Sequence, residues 1–293
     1  MASTGKSKSN KVGVFLEAIK FEHSLFALPF AYLGLFLAEG AWPRGRILLW
    51  VTAAMISFRT FGMAWNRWVD REIDAKNPRT SSRALPQGEL TSRFVWRAAL
   101  VSLVIFVSSA WLLGPLCLFL SPIPIALAGI YPTLKRFTWL SHGVLGIILG
   151  ISPYGAWLAS RGEFSWIPGF LLIGVASWVA GFDILYSLQD FDFDREAGLE
   201  SVPARFGKRA ALVTAAVLHG AAVTAWIAAG WSAGLGWIYG TGLVMVAAFL
   251  FREHWLLHRS GLARMNQAFF TMNACASVVI FLSAALDLYL LRG

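Results

Sequence analysis

Asp70 and Asp74 stand four residues apart, as do Asp190 and Asp194, and the second pair repeats the first at an offset of 120 residues. Carboxylates at that spacing on a helix share one face, about 6 Å apart. Two anions so placed repel each other unless a cation joins them. Asn66 precedes the first pair by four residues and Tyr186 precedes the second, so the patterns are Asn-x3-Asp-x3-Asp and Tyr-x3-Asp-x3-Asp. Oxygen donors alone suit a hard ion, Mg2+ or Mn2+, rather than zinc. Magnesium takes one or two carboxylates and completes its shell with phosphate oxygens. Two incomplete shells therefore point to two ions bridged by a polyanion, most simply a diphosphate. Arg79, Arg83, Lys135 and Arg136 stand near the first pair or in the next basic loop and can meet the remaining oxygens.

The same helical registers run deeper. Arg59, Asn66 and Asp70 are spaced 7 and 4, as are Asp183, Asp190 and Asp194. At helical rise, Arg59 stands about 10 Å below Asn66. A charged residue within an apolar span faces a cavity or a partner. Arg59 and Asp183 therefore either line a reaction chamber or close a salt bridge inside the bundle. An ion-binding mouth above an apolar interior matches a ligand with a diphosphate head and a long hydrocarbon tail.

The elements that must hold these residues are membrane helices. Of the 293 residues, 57% are hydrophobic and only 14% charged, and mean hydropathy is +0.61. A soluble domain cannot cover that much apolar surface. Nine apolar runs of span length centre near residues 27, 57, 104, 122, 150, 176, 220, 242 and 278. Pro122 and Pro124 predict a kink in the fourth. The 14 Trp and 22 Phe suit apolar walls and aromatic belts. Sorted onto alternate sides, 20 of the 25 Lys and Arg fall on the N-terminal side. Only Arg44, Arg46, Arg161 and Arg292 fall opposite, and Arg59 lies within a span. Positive charge marks the cytoplasmic side, so the N-terminus and both aspartate pairs are expected there, with the C-terminus outside.

Four spans separate the two pairs. The expected fold is all-α, a polytopic membrane protein with nine transmembrane helices as two parallel four-helix repeats plus one, around a central cavity. A single transmembrane domain is expected over residues 1–293, opened by a polar cytoplasmic tail over 1–11 that lacks the core of a cleavable signal. Cys117 and Cys275 lie in apolar spans, which points to packing rather than a disulfide or thiolate site. Topology and anionic substrates account for the net charge of +9 without nucleic acid. No obligate protein partner is implied; the surrounding partner is membrane lipid.

"NRWVDREID" and "DILYSLQDFDFD" carry the two patterns, "RTFG" stands before the first and "RTSSRALPQG" after it, and "YPTLKRFT" covers 131–138. In these ordered motifs, from about residue 18 to 210, the chain resembles the UbiA superfamily of intramembrane aromatic prenyltransferases. It departs from the family pattern at Ala84, at "SHGVLG" and at Lys20 in "IKFEHSLFALPFA", changes that bear on the acceptor more than on the reaction. That last segment looks similar to the subgroup proposed to prenylate 1,4-dihydroxy-6-naphthoate, although 4-hydroxybenzoate enzymes share it.

The resemblance implies Mg2+-dependent transfer of a polyprenyl group from a polyprenyl diphosphate to an aromatic acid in quinone biosynthesis. The cell membrane would be the bacterial inner membrane. Asn66, Asp70 and Asp74 would hold one Mg2+ and Asp190 and Asp194 the other, with Mn2+ as a substitute. Asp70, Asp190, Asp183 and Tyr131 form the expected catalytic set. Asp183 either orients the acceptor phenol or takes a proton. Arg59, Arg79, Arg83, Lys135, Arg136, Tyr186, Lys20 and His23 form the expected substrate-binding set. Arg79 and Arg83 are divided between the diphosphate and an acceptor carboxylate, and His23 between pocket lining and packing. The competing class is a secondary transporter, which predicts acids near the midplane rather than at one mouth. His254 and His258, also four apart, sit beside Arg252 and Arg259 and read as interfacial.

Overall fold

The computed structural model describes residues 10–21, 24–260 and 265–292. Every regular element among them is helical. A short α1 (Lys11–Ala18) leads into α2 (Ser24–Glu39), α3 (Gly45–Val69) and α4 (Arg71–Lys76). Next come α5 (Ser92–Leu113), α6 (Pro115–Leu120), α7 (Pro122–Leu134), α8 (Ser141–Arg161) and α9 (Trp166–Ser187). A 3-10 turn (Leu188–Asp190) joins α9 to α10 (Phe191–Glu196), and α11 (Val202–Ser232), α12 (Trp237–Ser260) and α13 (Met265–Arg292) complete the chain.

Each of the nine apolar runs is helical, and among the described residues seven helices are long and apolar enough to cross a membrane. The other two runs are α2, whose described apolar part covers Ala27–Glu39, and α12. Arg252, Glu253 and His254 interrupt the apolar run of α12. The fourth span breaks at Ser121 into α6 and α7, and Pro122 opens the second piece, where a missing N–H costs nothing. Most of the polar tail lies outside the described residues. Lys11 already belongs to α1, whose Asn10 cap accepts the Gly13 N–H and whose Phe15 is buried.

α9 packs between α8 and α11, α3 against α5, α12 against α13, and α2 against α8. The α8–α9 approach depends on missing side chains. A Cβ on Gly146 would stand 2.2 Å from the Ala176 carbonyl, and one on Gly150 would stand 2.7 Å from that of Leu172. Backbones touch there, as small residues allow between membrane helices. The main core gathers Phe30, Trp178 and Trp226, with ring centroids 5.1–6.2 Å apart.

The two ends of the bundle differ. At one end Trp42, Trp111, Trp166, Trp231 and Trp237 are all exposed. There Arg161 donates to the Ala38 carbonyl and Arg44 pairs with Glu39. Asp287 of α13, only 1% exposed, accepts the Gly236 and Tyr239 N–H groups at the start of α12. The opposite end is formed by the α4–α5, α7–α8 and α10–α11 loops, and the aspartates lie beneath them.

Candidate active site

A cavity of about 1150 Å³ opens among these loops and runs into the bundle. Its deep wall is apolar, with Phe58, Phe106, Leu113, Leu145, Phe164 and Leu172. Its mouth carries Asn66, Asp70, Asp74, Asp183, Tyr186, Asp190 and Asp194, together with Lys20, Arg79, Arg83, Tyr131 and Lys135. Arg136 stands at the rim, its Nη2 3.8 Å from Asp70 Oδ1. His23 lies outside the described residues. Lys20, with φ of 51°, occupies the turn after α1.

Both aspartate motifs straddle a helix break. Asp70 caps the end of α3 and begins α4, which carries Asp74. Asp190 closes the 3-10 turn and begins α10, which carries Asp194. The loop after α4 then folds back over both. Asn77 Nδ2 donates to Asp190 Oδ1 at 2.9 Å, and Arg79 meets both Asp190 oxygens at 2.7 and 2.5 Å. Arg79 Nη1 also donates to the Tyr186 hydroxyl at 3.1 Å, with its guanidinium over the Tyr186 ring. Arg83 Nη1 bonds both oxygens of Asp74 at 2.7 Å, and Arg67 Nη1 lies 3.9 Å away. From α7, Lys135 Nζ donates to Asp70 Oδ2 at 2.6 Å, and Asn66 Nδ2 donates to the same oxygen at 3.2 Å.

The cations expected to meet a diphosphate are thus bonded to the aspartates in this structure. Opposite charges held close in a partly dry mouth satisfy each other. One oxygen is left over. Asp70 Oδ1 is buried without a hydrogen-bond partner, and burial holds the Asp70 carboxyl above its ordinary value despite Lys135. Among the described residues no three His, Cys, Asp or Glu side chains converge to hold a metal ion by themselves. A buried carboxylate oxygen that accepts no hydrogen bond, beside an amide and a second carboxylate, does fit a hard divalent ion that takes further oxygens from its substrate.

Deeper in, Arg59 lines the cavity on the α3 face that also carries Asn66 and Asp70. It has no ion pair among the described residues, and its Nε is buried without a partner. The alternative of an Arg59–Asp183 bridge is therefore not what the fold makes. Asp183 instead bonds His142 Nδ1 at 2.7 Å. Tyr131 lines the wall of α7, within electrostatic reach of Asp183 and Asp70.

Several site residues escaped the sequence reading. Asn77 lies 113 positions from Asp190, and only the folded loop joins them. Arg67 follows Asn66 directly and anchors α1 by donating to the Ala18 carbonyl at 3.1 Å. Ser201, the N-cap of α11, donates to Asp194 Oδ2 at 3.0 Å. His142 belongs to "SHGVLG", where the departure from the family pattern was the only available signal.

Comparisons with known proteins agree with this fold. A sequence profile of the UbiA prenyltransferase family matches residues 27–275. A 4-hydroxybenzoate octaprenyltransferase from Shewanella sediminis is 29% identical, with 95% of this chain and 98% of that one aligned. A protein of the same name from Vibrio campbellii is 32% identical over 77% of this chain and 79% of its own. The apo structure of a UbiA homolog from Aeropyrum pernix K1 superposes with a TM-score of 0.83 at 34% identity, covering 91% of this chain and 98% of that one. A UbiA homolog from Archaeoglobus fulgidus bound to DMAPP and Mg2+ has the same fold, with a TM-score of 0.68 at 16% identity over 93% of this chain and 99% of that one.

Proposed function

Because the chain belongs to the UbiA prenyltransferase family, we propose that it transfers a polyprenyl group from its diphosphate to an aromatic acid of the 4-hydroxybenzoate kind. The observation that carries this reading is one cavity with carboxylates and cations at its mouth and an apolar wall beneath. A diphosphate head and an isoprenoid tail match those two zones. The names of the Shewanella and Vibrio relatives support the acceptor class.

Asn66, Asp70 and Asp74 would hold one Mg2+, as an Asp70 Oδ1 without a hydrogen bond favours, and Asp190 and Asp194 would hold a second; the A. fulgidus homolog, bound to DMAPP and Mg2+, is a precedent in the same fold. When bound, such ions supply Lewis-acid neutralisation of charge on a departing diphosphate. Arg79, Arg83 and Lys135, already at the mouth, supply hydrogen bonds to its oxygens. Tyr131 and Tyr186 offer aromatic faces to an allylic cation. Arg59 stands below the diphosphate zone with no carboxylate of its own, so it is the better match for the acceptor's carboxylate. Arg79 and Arg83, each bonded to an aspartate, are assigned to the diphosphate. Asp183 takes the proton that the substituted ring carbon loses.

The chain is an integral membrane protein. We read its nine apolar helices as nine crossings forming one domain in a bacterial inner membrane, with the mouth and N-terminus cytoplasmic. The exposed Trp residues at one end and the basic residues at the other support that orientation.

The test is product formation by the purified protein from radiolabelled polyprenyl diphosphate. Both 4-hydroxybenzoate and 1,4-dihydroxy-6-naphthoate serve as acceptors. We expect prenylated 4-hydroxybenzoate, lost on EDTA treatment and restored by Mg2+. Product from the naphthoate alone would move the acceptor assignment. No product from either, with solute flux in liposomes, would favour the transporter class.

A further inference from the structure

We propose that His142 is a positioning residue for the reaction: through its Nδ1–H it fixes Asp183, leaving one carboxylate oxygen free for the aromatic acceptor. The inference rests on the reading of Asp183 as the proton acceptor and deepens it.

The geometry determines which ring nitrogen carries hydrogen. His142 is 5% exposed at the start of α8. Its Nε2 receives the backbone N–H of Val202 at 3.4 Å, and its Nδ1 lies 2.7 Å from Asp183 Oδ2. A backbone N–H can only donate, so Nε2 must be the bare nitrogen. The ring proton then sits on Nδ1 and is donated to Asp183. A doubly protonated ring would turn a second N–H against that of Val202. It would also place a positive charge at the N-terminus of α11, whose dipole opposes it. The hydrogen-bond pattern thus makes Asp183 Oδ2 the acceptor from His142 Nδ1–H.

Two features of the backbone make this pair. Val202 is the first residue of α11, so its N–H is one of the donors that a helix start leaves unpaired; His142 is its partner. The glycine contacts of α8 with α9, beginning one turn after His142 at Gly146, bring the ring close enough to reach Asp183. The preceding cap, Ser201, bonds Asp194. The N-terminus of α11 is therefore a shared bracket, steadying a diphosphate-side carboxylate through Ser201 and the acceptor-side carboxylate through His142.

Asp183 makes no other hydrogen bond among the described residues, and it lines the cavity. Oδ1 is left to meet the acceptor. When the new carbon–carbon bond has formed, the C–H bond at the substituted ring carbon breaks. Its electron pair returns to the ring, and its proton binds Asp183 Oδ1. His142 keeps its own proton throughout and holds Oδ2 in place.

Steady-state kinetics on the full-length protein, with polyprenyl diphosphate and 4-hydroxybenzoate, tests this. His142→Leu should lower kcat on the order of tenfold or more, the size expected when an orienting partner is lost, while KM for the prenyl diphosphate stays unchanged. His142→Asn, whose amide N–H stands where Nδ1 does, should recover most of kcat. Retention of kcat in His142→Leu while Asp183→Asn is inactive would overturn the role of His142 and leave that of Asp183 standing. His142→Asn as slow as His142→Leu would also overturn it, because the N–H would then be irrelevant. Turnover near the parent level in Asp183→Asn would instead remove the reading on which the inference rests. If His142→Leu does not fold, the comparison of His142→Asn with the parent decides the same question.

Discussion

The two aspartate motifs share a local design and differ in how tightly the protein holds them. In each, a long helix breaks at an aspartate and a short helix carries the second one four residues on. The first motif is sunk in the fold: Asp70 is 3% exposed and Asp74 6%. Lys135, Arg83, Arg67 and Arg136 surround it. The second is more open, held by Arg79 and Asn77 on Asp190 and by Ser201 on Asp194. The contrast separates two roles that the sequence pattern merges. On the proposed reading the first motif is both a piece of the fold and a ligand set, whereas the second is chiefly a ligand set, kept in place by hydrogen bonds across loops.

The largest expected effect treats the motifs as equal. Asp70→Asn and Asp190→Asn should each reduce prenyl transfer by at least about 100-fold, read as product formed at saturating Mg2+. Normal turnover in either would break the two-ion account. The next separates them. Asp74→Asn leaves Arg83 and Arg67 without their carboxylate and should cost about 2–3 kcal/mol of stability. Asp194→Asn, in the open half, should cost less than about 1 kcal/mol. Thermal or denaturant unfolding in detergent measures both, and equal losses would erase the distinction.

A third prediction looks below the motifs. Arg59→Leu should raise KM for the aromatic acid by about tenfold, the size of one charge-assisted contact, and leave KM for the prenyl diphosphate alone. An effect confined to the diphosphate would return the carboxylate to Arg79 or Arg83. The smallest concerns the bridge between the halves. Asn77→Ala removes one of the hydrogen bonds on Asp190 and should lower kcat only a few-fold, about 1 kcal/mol. A loss as large as that of Asp190→Asn would mean that Asn77 acts on substrate directly.

What the sequence revealed was local and periodic. Arg59, Asn66 and Asp70 share a face because seven and four residues are near-whole turns, and all three do line the cavity. Length and apolarity identify membrane helices without any knowledge of their packing. The break at Ser121 follows from Pro122, a property of one residue. Interhelical choices were not legible. Whether Asp183 meets Arg59 or His142 depends on how closely α8 and α9 approach, which Gly146 and Gly150 decide only once paired with Ala176 and Leu172. Whether the basic residues stand free or close onto carboxylates depends on a loop that folds back over more than a hundred positions, as Asn77 and Asp190 do.

Asp287 gives α12 and α13 a common fastening far from the chemistry. One side chain answers two amide groups that a helix start would otherwise bury unmet, a deficit of about 1–3 kcal/mol for each. Neutralising it, as in Asp287→Leu, would loosen the paired helices at the tryptophan-rich end before it touched the mouth. The distal end of the bundle is thus where stability can be changed with the least disturbance to catalysis.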